Sequence, residues 1–235
     1  NFAYILYLRL RNQGLPNAEI ERYVRWWYVM SILTTRYSGT AETMIDFDMR
    51  QIDTIGIDAY ADTLIRGQLS DAFWDTGLPQ DMVTSAANSP YFHVYRAAQV
   101  KLNDKGFLSR DITVRELIEH KSDVHHVFPR GFLKKAGMTR GQYNQIANFV
   151  IAQSEINIAI GSKEPAVYFQ QVIDQCSGGE HRYGNITDLN ELRDNLAMNC
   201  IPAGVEYMTV DDYPEFLATR RQLMAQKIKR YFEGL

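Results

Sequence analysis

The chain has 235 residues, 46% hydrophobic and 23% charged, with a formal net charge of −3. This composition suits one large domain or two small ones with a sizeable core, and it excludes a protein held to nucleic acid by its overall field. No run approaches the ~18 apolar residues of a spanning helix, so no membrane is expected as a partner. Cys176 and Cys200 are too few for a disulfide framework or a zinc knuckle, and read as reduced residues of a cytoplasmic protein. No signal-peptide pattern is read. The chain opens on Asn1 and runs straight into Phe2-Ala3-Tyr4-Ile5-Leu6-Tyr7-Leu8, which looks like the middle of a helix; a fragment of a longer protein is expected.

In chain order, residues 2–12 read as helix, ended near Gly14 and Pro16. Asn17 is expected to cap a second helix to about Leu33, with Ile20, Val24, Trp27 and Tyr28 on one stripe. Thr40 is expected to cap a helix to Ile52; further helices are read at 58–65, 81–86 and from Pro90 to about Asn103. After Gly106 the pattern changes. Residues 111–119 fit either a short helix or extended chain, and 124–128 is β-branched and aromatic, hence a strand closed by Pro129. Residues 130–145 form a loop with a helical turn at 132–136, and 146–152 reads as a second strand. Ser154 is expected to cap a helix ending at Gly161, and the two strands are expected to pair antiparallel. Helices follow from Pro165 to about Gln175, over 189–197 and from about Pro214 to Phe232. The last carries Leu217, Met224, Ile228 and Tyr231 on its buried stripe, with Arg220, Arg221, Lys227, Lys229 and Arg230 mostly outside. The fold class is therefore α+β and mostly α-helical, with a small ββα unit flanked by helices. Its expected divisions are a helical domain at 1–105, the ββα unit at 106–170 and a C-terminal helical region at 171–235.

The most specific local pattern is Asp123-Val124-His125-His126-Val127-Phe128-Pro129, followed by Asn148 and then Asn157. Hydrolysis of a phosphodiester needs a base for the attacking water and charge stabilisation at the departing oxygen, on opposite sides of phosphorus. A neutral imidazole and a divalent cation supply the two. Adjacent strand residues face opposite ways, so the two histidines can serve one site only if the strand ends or bends at Pro129. An amide oxygen from Asn157 suits a hard cation such as Mg²⁺, and an imidazole ligand keeps Mn²⁺ and other transition metals open. Charge agrees locally. Residues 41–81 hold nine acidic and two basic side chains, whereas 121–163 hold six basic and two acidic, which puts the cations where a phosphate backbone would want them. Arg130, Lys134, Lys135 and Lys163 are the candidate phosphate contacts, although such cations equally suit a solvated surface.

The histidine pair, the proline and the nine-residue interval from Asn148 to Asn157 together resemble the HNH (ββα-metal, His-Me finger) endonuclease motif. The stretch from Asp123 to Lys134 is also similar to the corresponding segment of RNA-guided CRISPR nucleases. By this resemblance His126 is the general base, Asn148 holds the loop and orients that base, and His125 and Asn157 bind one divalent metal ion. Histidine stands at 125 where the commoner motif has aspartate, so a charge is lost from the metal shell; Asp123 is a candidate third ligand that would compensate. Further segments, namely Gln145-Ile146-Ala147-Asn148, Asn157-Ile158-Ala159-Ile160-Gly161, Pro165-Ala166-Val167-Tyr168, Trp26-Trp27-Tyr28 and Arg36-Tyr37-Ser38-Gly39, resemble the nuclease half of GmrSD-like bacterial restriction proteins. That resemblance implies DNA as partner, a role in restriction or phage defence in the bacterial cytoplasm, and an N-terminal ParB-like domain in the full-length protein, which nothing here matches. A homo-oligomer is open. The alternatives are a degenerate hairpin that binds nucleic acid without cutting, and a helical interaction module. His93, His120 and His181 are read as ordinary histidines rather than ligands.

Overall fold

The computed structural model describes residues 2–120 and 124–235. Asp123 lies outside the described residues. The chain is mostly helical with one two-stranded antiparallel sheet, an α+β architecture. Its contacts divide it into two units, Asn1–Leu78 with Lys229–Leu235, and Pro79–Ile228.

In the first unit, helices Phe2–Asn12, Asn17–Leu33, Ala41–Ile55 and Ile57–Gln68 follow one another through short turns. Gly56, between the last two, adopts φ +84°, a conformation that glycine reaches at no steric cost. Pro16, not Asn17, precedes the second helix, and no side chain caps it; Asn17 is its first helical residue. Trp27 is fully buried, stacked on Phe2 and hydrogen-bonded through Nε1 to the Tyr37 hydroxyl at 2.8 Å. The unit also buries a carboxylate. Asp48 accepts from Arg36 Nε at 2.8 Å, from Arg36 Nη2, from the Tyr37 hydroxyl at 2.6 Å and from the Tyr60 hydroxyl at 2.7 Å. Each buried polar group there has a partner, which is the condition under which burying an ion pair is tolerable. The segment Arg36-Tyr37 thus has a structural duty in this unit.

In the second unit, β1 (Val124–His126) pairs with β2 (Phe149–Ile151) in the register Val124↔Ile151, His125↔Val150 and His126↔Phe149. Helix Ser154–Ile160 follows β2 directly, completing strand, loop, strand and helix. Gln153, rather than Ser154, stands at its N-cap position. Both strands are shorter than the apolar runs predict. Val127 and Phe128 already bend, and Ile146–Asn148 forms a 3₁₀ turn that carries the Asn148 side chain inward. The loop between them holds helices Arg130–Lys135 and Arg140–Tyr143. Residues 111–119 resolve to helix Val114–Glu119, started by a reciprocal capping box between Thr113 and Glu116. The helix expected at 81–86 is absent beyond Asp81: the chain there extends, and the Thr84 carbonyl accepts from Ile146 N at 2.9 Å.

Around this hairpin lie helices Pro90–Lys101, Pro165–Cys176, Leu189–Met198 and the first part of Tyr213–Glu233. Aromatic pairs tie them to it: Phe92 meets Phe149 at 5.8 Å, and Phe128 meets Phe216 at 4.7 Å. Arg220 is fully buried, where its helix stripe was expected to leave it outside. It lies on the same face as Phe216 and Met224, four residues to either side. Two of its guanidinium nitrogens find partners there: Nη1 donates to Ala147 O at 2.9 Å and Nη2 to Asn199 O at 3.1 Å, while Nε has none among the described residues. No helix among the described residues is long and apolar enough to cross a membrane.

Candidate functional site

One cavity of about 280 Å³ is lined by Val124, His125, His126, Pro129, Arg130, Gly131, Asn157 and Gly161. The predicted base, both described metal-ligand candidates and one predicted phosphate contact therefore share a single space. Three local features bring them there. β1 ends at His126, its last residue paired with β2, and the chain bends from Val127. Pro129 then starts helix Arg130–Lys135, which sets Arg130 at the cavity edge, and Asn157 is presented from the exposed side of helix Ser154–Ile160. Two glycines let the walls come close. A Cβ on Gly131 would stand 2.8 Å from Ser162 Cβ, and Gly161 turns the chain at φ +60°.

His126 is half-buried. Its ring packs edge-on against Phe149 at 5.1 Å and 85°, and Nε2 lies 2.9 Å from Asn144 Oδ1. Burial holds this imidazole below its ordinary value; the Asn144 contact opposes the shift, and the charges of Arg130 and His125 add to it. A neutral imidazole open to a polar cavity can accept a proton. His125 is nearly buried, at 8% exposure, yet still reaches the cavity.

Asn148 does not line the cavity. It is fully buried, and it grips the loop that carries the histidines. Its Oδ1 accepts from Phe128 N at 2.8 Å, while Nδ2 donates to Phe128 O at 3.0 Å and to Tyr143 O at 3.1 Å. Tyr168 donates to Val127 O at 2.8 Å, and Tyr213 to Gln142 O at 3.1 Å. The backbone on both sides of His126's surroundings is thus held by buried side chains with fixed partners, which is how a scaffold keeps reactive groups in place. Burial raises the Tyr168 and Tyr213 hydroxyls well above their ordinary range, so both stay protonated donors.

The remaining cations disperse. Lys134 and Lys135 are exposed on helix Arg130–Lys135, with the Lys134 ammonium 5.8 Å from the Tyr143 ring. Lys163 folds back on its own chain, donating to Ala159 O and lying 5.5 Å from the Tyr183 ring. Asn144, Tyr168, Tyr213 and Arg220 are absent from the sequence reading of the site. Sequence reading gave none of them a role at the site; their distant partners reveal one.

A divalent cation would meet one imidazole from His125 and one amide oxygen from Asn157. Among the described residues no three of His, Cys, Asp and Glu group together as a protein-only cage requires. Two neutral donors at an open, polar cavity fit the other kind of site, in which water and phosphate oxygens complete the shell.

The chain is, then, a mostly helical α+β protein whose strand–strand–helix unit opens two histidines, an asparagine and an arginine onto one cavity. No family model and no solved structure matches it. It is 24% identical over 151 residues to uncharacterized protein MJ0686 of Methanocaldococcus jannaschii; that match covers 64% of this chain and 25% of the other protein's length.

Proposed function

We propose that this chain is the HNH-type endonuclease part of a DNA restriction or phage-defence protein. The observation that carries the reading is the shared cavity: His125, His126, Arg130 and Asn157 come from a strand and two helices, and all line it. The strand–loop–strand–helix order and the antiparallel register around His126 support it further.

In this reading a DNA phosphate enters the cavity beside Arg130, whose guanidinium offers paired donors to its oxygens. His126 takes the proton of the attacking water. Asn148 acts at one remove, by holding the Phe128 backbone that follows the histidines. His125 and Asn157 would hold a divalent cation, which would supply charge stabilisation for the departing oxygen. In this reading the cavity contacts the phosphate backbone, which carries no sequence information directly, so sequence preference comes from other surfaces.

Incubation of the protein with supercoiled plasmid and Mg²⁺ or Mn²⁺ tests the proposal. Nicked or linear product from the wild type, lost in a folded His126→Ala variant, is the expected result. DNA binding without cutting in any of Mg²⁺, Mn²⁺, Co²⁺ and Ni²⁺ would replace the nuclease with a binding module. Loss of both would leave a helical interaction module.

A further inference from the structure

We infer that Asn144 is the positioning residue that fixes the tautomer of His126, keeping the proton on Nε2 and presenting Nδ1 as the acceptor. The inference deepens the nuclease reading and rests on it for its kinetic part only.

An imidazole that is to act as a base has two nitrogens and one proton, and whichever nitrogen is hydrogen-bonded to a fixed acceptor keeps that proton. His126 Nε2 faces Asn144 Oδ1 at 2.9 Å. An amide oxygen can only accept, so this contact is satisfied by Nε2–H and leaves the Nδ1 lone pair for an incoming proton. The opposite amide orientation would put an N–H against Nε2 and drive the proton to Nδ1, so the tautomer itself reports which arrangement holds.

Asn144 is well placed to enforce this, because the chain around it is anchored. It follows helix Arg140–Tyr143, and its own N–H donates to Arg140 O at 3.0 Å. Immediately before it, Tyr143 O accepts from Asn148 Nδ2 at 3.1 Å. Immediately after it, Gln145 Nε2 donates to Gly141 O at 2.6 Å. The ring it holds is stopped from swinging by Phe149 at 5.1 Å and Tyr143 at 6.3 Å, both edge-on. An acceptor on an anchored backbone segment, set against a confined ring, selects both the ring's rotation and its proton site.

The test compares wild type, Asn144→Leu and Asn144→Asp. Long-range proton–nitrogen NMR correlations of nitrogen-15-labelled histidine, at a pH where the ring is neutral, read the tautomer directly. A His126→Gln variant assigns the signal. The wild type should show the Nε2–H form. Asn144→Leu, which keeps the volume and removes the acceptor, should lose that preference; Asn144→Asp, which keeps an acceptor, should retain it. In cleavage assays Asn144→Leu should lower kcat by about 10–100-fold with KM little changed, and Asn144→Asp should recover part of the loss. An Nδ1–H signal in the wild type, or an unchanged tautomer in a folded Asn144→Leu protein, overturns the inference. Because the tautomer is read without DNA, failure of the wild type to cut would count against the nuclease reading alone, and the Asn144 assignment would stand or fall on the spectra.

Discussion

Asn148 holds Phe128 by both of its backbone polar groups, accepting from the N–H at 2.8 Å and donating to the C=O at 3.0 Å. The two residues are 20 positions apart, and the side chain that joins them is fully buried. The loop after β1 therefore has one conformation because a single amide satisfies both of its inward-facing backbone groups. Truncating that amide strands them. Asn148→Ala should cost about 2–4 kcal/mol, since the Phe128 N–H and C=O lose their side-chain partner where water cannot replace it. Urea unfolding measures the loss. Cleavage should fall with it even under conditions where the variant stays folded, because His126 sits two residues before the freed backbone.

In the proposed nuclease reading, the pH dependence of cleavage should follow His126. Burial holds its imidazole below the ordinary value of 6.5. A base must be unprotonated, so activity should persist below pH 6.5 and fall only as the pH passes through the lowered value. Arg130→Gln removes a neighbouring positive charge that also lowers it, and should move this acid limb to higher pH. Stability carries the same sign. As the pH falls from 6.5 toward the lowered value the unfolded chain takes up the proton first, so His126's contribution to folding is lost across that window. Rate–pH profiles of the two proteins, with melting curves across the same range, check both statements.

Metal dependence should track His125. His125 lines the same cavity as Asn157. His125→Ala should raise the Mn²⁺ concentration needed for half-maximal cleavage on the order of tenfold or more. His125→Asp puts back a hard oxygen ligand and a negative charge, and should shift preference toward Mg²⁺. Titration of each protein with both ions gives the answer. Equal ion requirements in all three proteins would remove His125 from the metal shell.

The first unit offers a prediction independent of any catalytic reading. Asp48 is fully buried and takes bonds from Arg36, Tyr37 and Tyr60; burial and the carboxylate both hold the two tyrosine hydroxyls above their ordinary range. Asp48→Asn leaves the buried Arg36 guanidinium without its counter-charge and should destabilise the protein by roughly 3–5 kcal/mol. Thermal or urea unfolding of the variant checks this, and a loss below ~1 kcal/mol would mean that water reaches the pair.

The helices of this chain are legible in its sequence because their causes are local. Pro165 opens a helix since its fixed φ suits the first turn, and Gly161 ends one since it turns the chain at positive φ. The strand pair is legible for a similar reason: β-branched and aromatic runs flank a loop, and their pairing places His126 opposite Phe149. Local pattern also named His125, His126, Arg130 and Asn157, and these do line one cavity. What it could not supply are the groups whose meaning comes from a distant partner. Arg220 reads as a solvent-facing cation on a helix until the carbonyl of Ala147, 73 residues away, is found beside it. Asn144 reads as one more loop asparagine until the ring of His126 lies against it, 18 residues upstream. Spacing along a chain encodes which residues share a face; it does not encode which buried carbonyl or imidazole will stand opposite that face. Only the packed structure decides that, because a polar side chain removed from water must take its partner from whatever the fold brings near.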